Sequence, residues 1–160
     1  MNRSVYMSSK NNLDKVKCDI FQGLTLQFIA KSNSMRPFIV ANRDQIILQK
    51  VDSFSFQKGA ILFAELGKRH HVAHRIIAVN GDNLVLKGDA HLRHTQMCGR
   101  CDIIAEVVAI VRKGKLIKRG SFTWSLYRLF WPKAPLLRNM FLKIYALFLS
   151  FKSKPTKECY

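Results

Sequence analysis

Apolar residues between positions 24 and 119 occur in short runs that are separated by glycine, asparagine and aspartate. Such runs, rich in isoleucine, valine and leucine, are typical of β-strands joined by tight turns. Asn80-Gly81 is a strong signal for a two-residue hairpin, and Gly114 marks a second turn. The pattern predicts strands over 24–29, 45–49, 60–63, 71–79, 83–87, 103–112 and 116–118.

We therefore expect a mainly β fold, with a compact and mostly antiparallel β-domain over 23–119. Residues 1–22 form a polar lead-in without clear periodicity, and no structure is predicted for them.

The pattern changes after residue 119, where aromatic, aliphatic and basic side chains occur together. Pro132 and Pro135 divide this stretch into two predicted helices, the second over about 136–151. We expect a basic, apolar helical extension over 120–160, with a loose tail at its end.

The charge balance indicates which partners to expect. Lys and Arg number 27 against 10 Asp and Glu, which gives a formal net charge of +17. Such a surplus attracts polyanions, either nucleic acid or an anionic membrane surface. No nucleic-acid-binding module is recognisable, so nucleic acid is not the expected partner. The sequence carries no signal for an oligomeric state.

The segment 122–151 mixes Trp, Phe and Leu with Lys and Arg, which is typical of a helix in a membrane interface. The same segment could instead pack on the β-domain or bind a partner. No run reaches the roughly 18–20 apolar residues that span a bilayer, and no N-terminal signal or anchor is expected. Four cysteines are too few for a disulfide framework. The expected location is the cytoplasm or a membrane periphery.

Ser34 and His74 are the candidate catalytic pair. Ser34 follows Asn33, a residue that tolerates a left-handed backbone, and a sharp turn there would expose the serine hydroxyl. Serine is a weak nucleophile at neutral pH unless an imidazole takes its proton. His74 shares a strand face with Val72 and Ile76, so it is either a core histidine or a partly desolvated general base.

Four further residues could complete such a site. The Ser32 hydroxyl and the amide of the nucleophile could stabilise an oxyanion. Asp89 follows the strand that returns beside His74 and could fix the imidazole tautomer, and Asp102 is the alternative acid. Arg75 points to the opposite face of its strand and is expected to pair with a carboxylate.

A cluster of histidines and cysteines lies within a short segment of the chain. His91, His94, Cys98 and Cys101 have the short spacing that zinc ligands show. The alternative is a solvated hairpin loop with reduced thiols. We favour the loop, and we expect neither a metal nor a cofactor.

Five short blocks follow one another along residues 32–90. They are Ser32-Asn33-Ser34-Met35-Arg36-Pro37, Asn42-Arg43-Asp44, Lys58-Gly59-Ala60-Ile61-Leu62-Phe63, His74-Arg75-Ile76-Ile77 and Lys87-Gly88-Asp89-Ala90. In this order they resemble the signal peptidase I family, in the serine–histidine branch found in endoplasmic-reticulum-type and some bacterial signal peptidases. The resemblance covers roughly residues 23–112, and its weight lies in the order of the blocks. The same β-fold serves the self-cleaving LexA-type repressors.

This resemblance implies a serine endopeptidase that cleaves a leader or signal peptide. The substrate would be an extended peptide with small residues before the cleavage site. The chain departs from the family pattern at Asn33, where glycine is usual, and over 91–96, which lacks the branch's further acidic residue. The implied roles of nucleophile, base, oxyanion-hole hydroxyl and acid fall to Ser34, His74, Ser32 and Asp89.

A function of another class is also compatible with the composition. A non-catalytic protein on the same fold could dock on an anionic membrane or on nucleic acid through its positive charge. The arrangement of the two candidate side chains separates the alternatives, since a nucleophile and its base must share one accessible cleft.

Overall fold

Nine strands of the described part of the chain form one sheet, curled into an antiparallel half-barrel. The computed structural model describes residues 3–4, 11–67, 70–130, 139–140, 142–145 and 147. The helices are α1 (Asn11–Phe21) and α2 (Phe122–Phe130), with further helical residues at 139–140, 142–145 and 147. The strands are β1 (Arg3–Ser4), β2 (Leu26–Ile29), β3 (Asp44–Gln49), β4 (Ile61–Leu66), β5 (His70–Asn80), β6 (Asn83–Lys87), β7 (Gln96–Gly99), β8 (Ile103–Arg112) and β9 (Lys115–Lys118).

The predicted fold class is confirmed: the protein is mainly β, with an antiparallel sheet and a helix near the C-terminus. The strand order is β1-β2-β3-β8-β4-β5-β6-β7, and β9 pairs with β8. Each neighbouring pair is antiparallel except β1 and β2, which run parallel.

The first half of β5 pairs with β4 on one side and has no described strand on its other side. β5 pairs with β4 from His70 to Arg75, and with β6 from Arg75 to Asn80. The turn is made by Gly81-Asp82, and Gly81 adopts the left-handed φ of 61° that this tight turn needs. Within the described residues, the edge of β5 between His70 and His74 that faces away from β4 is therefore not covered by a strand.

Two clusters of buried side chains make up the core. The larger one joins the sheet to both helices, because Val16 and Ile20 of α1 and Trp124 of α2 are buried in it. The smaller one lies between β4, β5, β6 and β7. Core contacts thus cross the boundaries that were predicted after residues 22 and 119.

α2 lies against the sheet through its aromatic side chains. Phe38 meets the Trp124 ring edge-on at 5.0 Å and stacks on the Tyr127 ring at 4.4 Å between centroids. Phe122 and Leu126 are on the exposed side of the same helix. A helix in the first half of 120–160 is thus present and packs on the β-domain.

The structure adds three elements that the sequence did not predict. The polar lead-in contains β1 and α1, and the presumed loop with Cys98 contains β7, which pairs with β6. The predicted helix over 136–151 lies only partly inside the described residues, which are helical there, and the predicted loose tail lies outside them. None of the described helices has the length and apolar character that are required to cross a bilayer.

Candidate active site

The turn that carries Ser34 is fixed by its apolar neighbours. Met35 and Phe38 are buried in the larger core cluster, and the Ile39 amide donates to the Met35 carbonyl at 2.9 Å. Burial of these side chains anchors the chain to the core directly after Ser34. Ser34 itself is half-buried at the surface.

Asn33 does not adopt the left-handed backbone that the sequence suggested. The left-handed residue is Asn42, with φ of 58°, and the Asn33 side-chain oxygen instead accepts a hydrogen bond from the Ala41 amide at 3.0 Å. Asn33 therefore closes the loop around Ser34 through its side chain, a contact that glycine could not make.

A buried carboxylate anchors the other end of this loop. Asp44 is fully buried and accepts a hydrogen bond from the Val40 amide at 2.9 Å. Arg43 and Arg112 both donate to the same carboxylate. Hydrogen bonds from these guanidinium groups and the amide outweigh desolvation and lower the pKa of Asp44, so the carboxylate is ionised at neutral pH.

A groove of about 790 Å³ opens between the Ser34 loop and the uncovered edge of β5. Its volume is within the range of ordinary ligand-binding clefts. Ser34, His74 and Ser32 all line it, so folding brings the candidate nucleophile, base and oxyanion-hole hydroxyl to one cleft. The apolar part of its lining includes Phe28, Met35, Ile39, Leu48, Phe63 and Val72.

Gly88 is the point at which the two catalytic candidates approach each other. A Cβ at this position would lie 2.5 Å from the Ser34 backbone oxygen and 3.1 Å from Nε2 of His74. The Ala90 amide donates to the same Ser34 oxygen at 2.8 Å. The glycine is required here for space, because any side chain would separate the Ser34 loop from the imidazole.

His74 is 2% exposed, and its burial has a direct electrostatic consequence. Desolvation lowers the pKa of the imidazole from 6.5 to about 4, although nearby Gln96 and Asp89 act in the opposite direction. The ring is therefore neutral at pH 7 and able to accept a proton. Neither ring nitrogen has a hydrogen-bond partner in the described part of the chain, so His74 and the Ser34 hydroxyl are not hydrogen-bonded in this state.

Asp89, the candidate acid, is hydrogen-bonded to Arg75 and not to His74, whose ring nitrogens have no partner among the described residues. The Arg75 guanidinium donates to both carboxylate oxygens, at 3.0 and 2.7 Å. Arg75 and His74 are adjacent on β5 and point to opposite faces, so a carboxylate engaged this way is turned from the imidazole. Arg75 also donates to the Gly59 carbonyl at 2.9 Å, which ties β5 to the loop before β4.

Asp102, the alternative acid, is also not placed at His74. Its carboxylate accepts a hydrogen bond from the Gly99 amide at 2.8 Å and lines a separate pocket beside α1. Its role in this structure is to close the turn that precedes β8.

The candidate zinc ligands do not gather at one point. Among the described residues, no three His, Cys, Asp or Glu side chains are placed to hold a metal ion. Cys98 is buried in the smaller core cluster, and desolvation raises the pKa of its thiol to about 11. Cys101 is exposed, whereas His91 and His94 turn towards the groove.

Sequence reasoning missed two residues of this site. Gly88 was assigned no role, and Gln96, on the unpredicted strand β7, also lines the groove. Gln96 opposes the lowering of the His74 pKa that desolvation causes. The side-chain oxygen of Gln96 nevertheless has no partner with ordinary hydrogen-bond geometry. Gly88 could have been found from its place in the Lys-Gly-Asp block, whereas no signal in the sequence indicated Gln96.

The candidate oxyanion hole is closed in this state. The Ser34 amide donates to the Ser32 hydroxyl oxygen at 3.2 Å, so the amide is not available to an oxyanion. A small rotation of the exposed Ser32 side chain would free the amide, and the amide and the hydroxyl could then both donate to a third atom.

Comparison with known proteins does not assign this site. No protein-family model matches the chain, and a search of curated proteins finds no match either.

Proposed function

We propose that this protein is a serine endopeptidase of the signal peptidase type, which cleaves a leader or signal peptide. The observation that carries the proposal is that Ser34 and His74 line one groove and meet at the bare backbone of Gly88. A serine and a neutral, desolvated imidazole that line one cleft are the two groups that nucleophilic catalysis requires.

The reaction would proceed through an acyl-enzyme. Ser34 Oγ forms a bond to the scissile carbonyl carbon while His74 takes the hydroxyl proton, and His74 then gives this proton to the departing amine. In the second half His74 takes a proton from the water that attacks the ester carbonyl carbon. The bond between this carbon and Ser34 Oγ then breaks, and His74 returns the proton to Ser34 Oγ. The oxyanion of each tetrahedral intermediate would accept hydrogen bonds from the Ser34 amide and the Ser32 hydroxyl.

The missing hydrogen bond between Ser34 and His74 does not argue against this mechanism. Catalytic hydrogen bonds are often long in enzymes without substrate and tighten when the substrate binds. Gln96 lines the same groove as His74, and its side-chain oxygen has no partner among the described residues. We propose that this oxygen accepts a hydrogen bond from the imidazole when substrate binds, and that Gln96 thereby orients the ring.

The substrate would bind as an extended strand. The edge of β5 between His70 and His74 borders the groove and is not covered by any described strand. An uncovered edge offers backbone donors and acceptors to an incoming peptide, which can pair with it as an additional strand.

Cleavage of a synthetic leader-peptide library tests the proposal. We expect the wild type to cut a subset of peptides, and Ser34→Ala and His74→Ala to reduce kcat/KM by at least about 10³-fold. Ser53→Ala, at an exposed serine outside the groove, is the matched control and should cut normally. Equal cutting by all four proteins, or cutting by none, would refute a peptidase that acts through Ser34.

A second candidate function is docking on an anionic membrane, which the exposed apolar residues near the C-terminus favour. Met140, Ile144 and Leu147 are about half exposed and are spaced to share one helix face, with exposed Lys143 beside them. The net charge of +17 complements anionic lipid headgroups.

Flotation with vesicles tests this docking. We expect binding to vesicles with about 30% phosphatidylserine and none to pure phosphatidylcholine, because both apolar and charge contacts are needed. Ile144→Asp with Leu147→Asp should abolish flotation, whereas Leu116→Asp, at a half-exposed leucine on β9, should not. If flotation persists in both the C-terminal double variant and Leu116→Asp, or is lost in both, the C-terminal surface is not the docking site.

A further inference from the structure

The charge of the groove is one-sided. All five histidines of the chain line it, and Lys31 is the one further ionisable side chain among its described lining residues. No described Asp or Glu side chain lines it. The histidines are His70, His71, His74, His91 and His94.

The carboxylates next to these histidines are already neutralised. Glu65 contacts His71 at 3.5 Å but is also bound by Lys17 at 2.5 Å. Asp89 acts on His74 from a distance but is held by both ends of the Arg75 fork. Neither carboxylate leaves an unbalanced negative charge at the groove. The electrostatic potential in the groove is therefore set by Lys31 and by the net positive charge of the protein.

The histidines add hydrogen-bond donors to this field. A neutral imidazole still donates one N–H, and it donates two when it is protonated. His91 packs edge-on between His74 and His94, with ring centroids 5.3 and 5.7 Å away. The three rings form a row from the buried base to the exposed rim, where His94 and Lys31 face solvent.

We propose that the substrate of this groove is an acidic peptide, with Asp or Glu side chains next to the segment that is bound. The inference rests on the proposed function, since it takes the groove to be the peptide cleft. Carboxylates would meet Lys31 and imidazole donors at the rim, whereas the lysines and arginines of a basic peptide would meet like charge. The small residues that are expected before the cleavage site would lie deeper, against the apolar lining.

Peptide binding to the Ser34→Ala variant tests this preference without requiring catalysis. The probes are two fluorescent 12-residue peptides with the same Ala-Val-Ala centre, one with two Glu on each flank and one with two Gln. We expect the Glu peptide to bind about fivefold more tightly at 50 mM salt, because rim charge pairs are each worth a fraction of a kcal/mol. The difference should fall below about twofold at 0.5 M salt, where screening is strong.

Two charge-matched variants separate the groove from the general field. In the Ser34→Ala background, Lys31→Gln should reduce the preference to about twofold, whereas Lys115→Gln removes the same charge from exposed β9 and should leave it unchanged. Equal losses with both variants would assign the preference to net charge and would overturn the inference. Equal binding of the two peptides, or binding of neither below 1 mM, would also overturn it.

The two proposals can fail separately. If the wild type cleaves the Gln peptide and the Glu peptide with equal kcat/KM, the peptidase proposal stands and the acidic preference is wrong. If Ser34→Ala prefers the Glu peptide through Lys31 while the wild type cleaves neither, the groove specificity stands and the catalytic proposal is lost.

Discussion

Gly88 decides how closely the two catalytic candidates can approach. It has no left-handed φ, so its requirement for glycine comes from the atoms packed over its Cα and not from its backbone conformation. Of those atoms, the Ser34 carbonyl oxygen belongs to backbone that is anchored by neighbouring core residues and cannot shift cheaply.

Gly88→Ala should therefore separate the Ser34 loop from His74. We expect kcat/KM for a cleaved peptide to fall by at least about 100-fold while the protein remains folded, since small displacements of reacting groups are costly. Gly99→Ala is the matched control, because that glycine also has negative φ and its Cβ would meet mainly the flexible Cys101 side chain at 3.1 Å. Equal activities of the two variants would contradict the close approach at Gly88.

The buried imidazole of His74 makes stability depend on pH. The folded state keeps His74 neutral down to about pH 4, whereas the unfolded chain binds the proton near pH 6.5. Between these values the unfolded state holds more protons, so stability falls as the pH decreases through this window.

Urea unfolding at pH 7.5 and pH 5 measures this effect. The His74 contribution alone should lower the free energy of unfolding by about 2 kcal/mol over this interval. His74→Gln should lose the part of this dependence that His74 contributes and keep the part from His91, whose pKa burial also lowers. An unchanged pH dependence in the variant would show that His74 titrates normally and is not desolvated.

Sequence reasoning placed the candidate nucleophile, base and oxyanion-hole hydroxyl in one cleft, as the structure does, but it did not foresee the partner of the candidate acid. Proximity along the β5–β6 hairpin suggested Asp89 for His74, yet Asp89 is hydrogen-bonded to Arg75, a bidentate donor. The alternation of side chains along β5 already placed Arg75 and His74 on opposite faces. Long-range packing decides whether Asp89 lies on the Arg75 face or on the His74 face of β5, and local sequence patterns do not reveal it.

The loop between β2 and β3 depends on one ionic anchor. Asp44 begins β3 and binds two guanidinium groups and the Val40 amide, so it closes the segment that presents Ser34. Removal of this carboxylate would leave a buried amide without a partner and two arginines without their counter-charge.

Asp44→Ala should destabilise the protein by about 3 kcal/mol, measured by urea unfolding at pH 7.5. Asp82→Ala, at a carboxylate that is 94% exposed in the β5–β6 turn, should change stability by less than about 0.5 kcal/mol. Comparable values for the two variants would mean that the Asp44 cluster contributes no more than a surface ion pair.

Helix α1 and strand β7 show why parts of the fold could not be predicted from the sequence. The apolar positions of α1 that reach the core are Leu13, Val16 and Ile20, a narrow stripe in an otherwise polar segment. Strand β7 has no β-branched residues and forms because β6 offers it a free edge. Both elements are stabilised by tertiary contacts, which local patterns do not reveal.

At the scale of the whole molecule, the curl of the sheet creates the site. The strand order places β8 between β3 and β4, so the Ser34 loop before β3 and the His74 region of β5 lie on opposite sides of one opening. The antiparallel fold could be predicted from turn-separated strands, but the strand order and the groove depend on long-range pairing. The groove is therefore a product of topology, and sequence motifs indicated only its chemistry.

Labelling with a fluorophosphonate, which reacts with activated serines, tests the central claim most directly. The account predicts stoichiometric labelling at Ser34, identified by mass spectrometry, which is lost in Ser34→Ala and His74→Ala and retained in Ser53→Ala. Labelling that is absent from the wild type, spread over other serines or unaffected by His74→Ala would contradict a nucleophile activated by this imidazole.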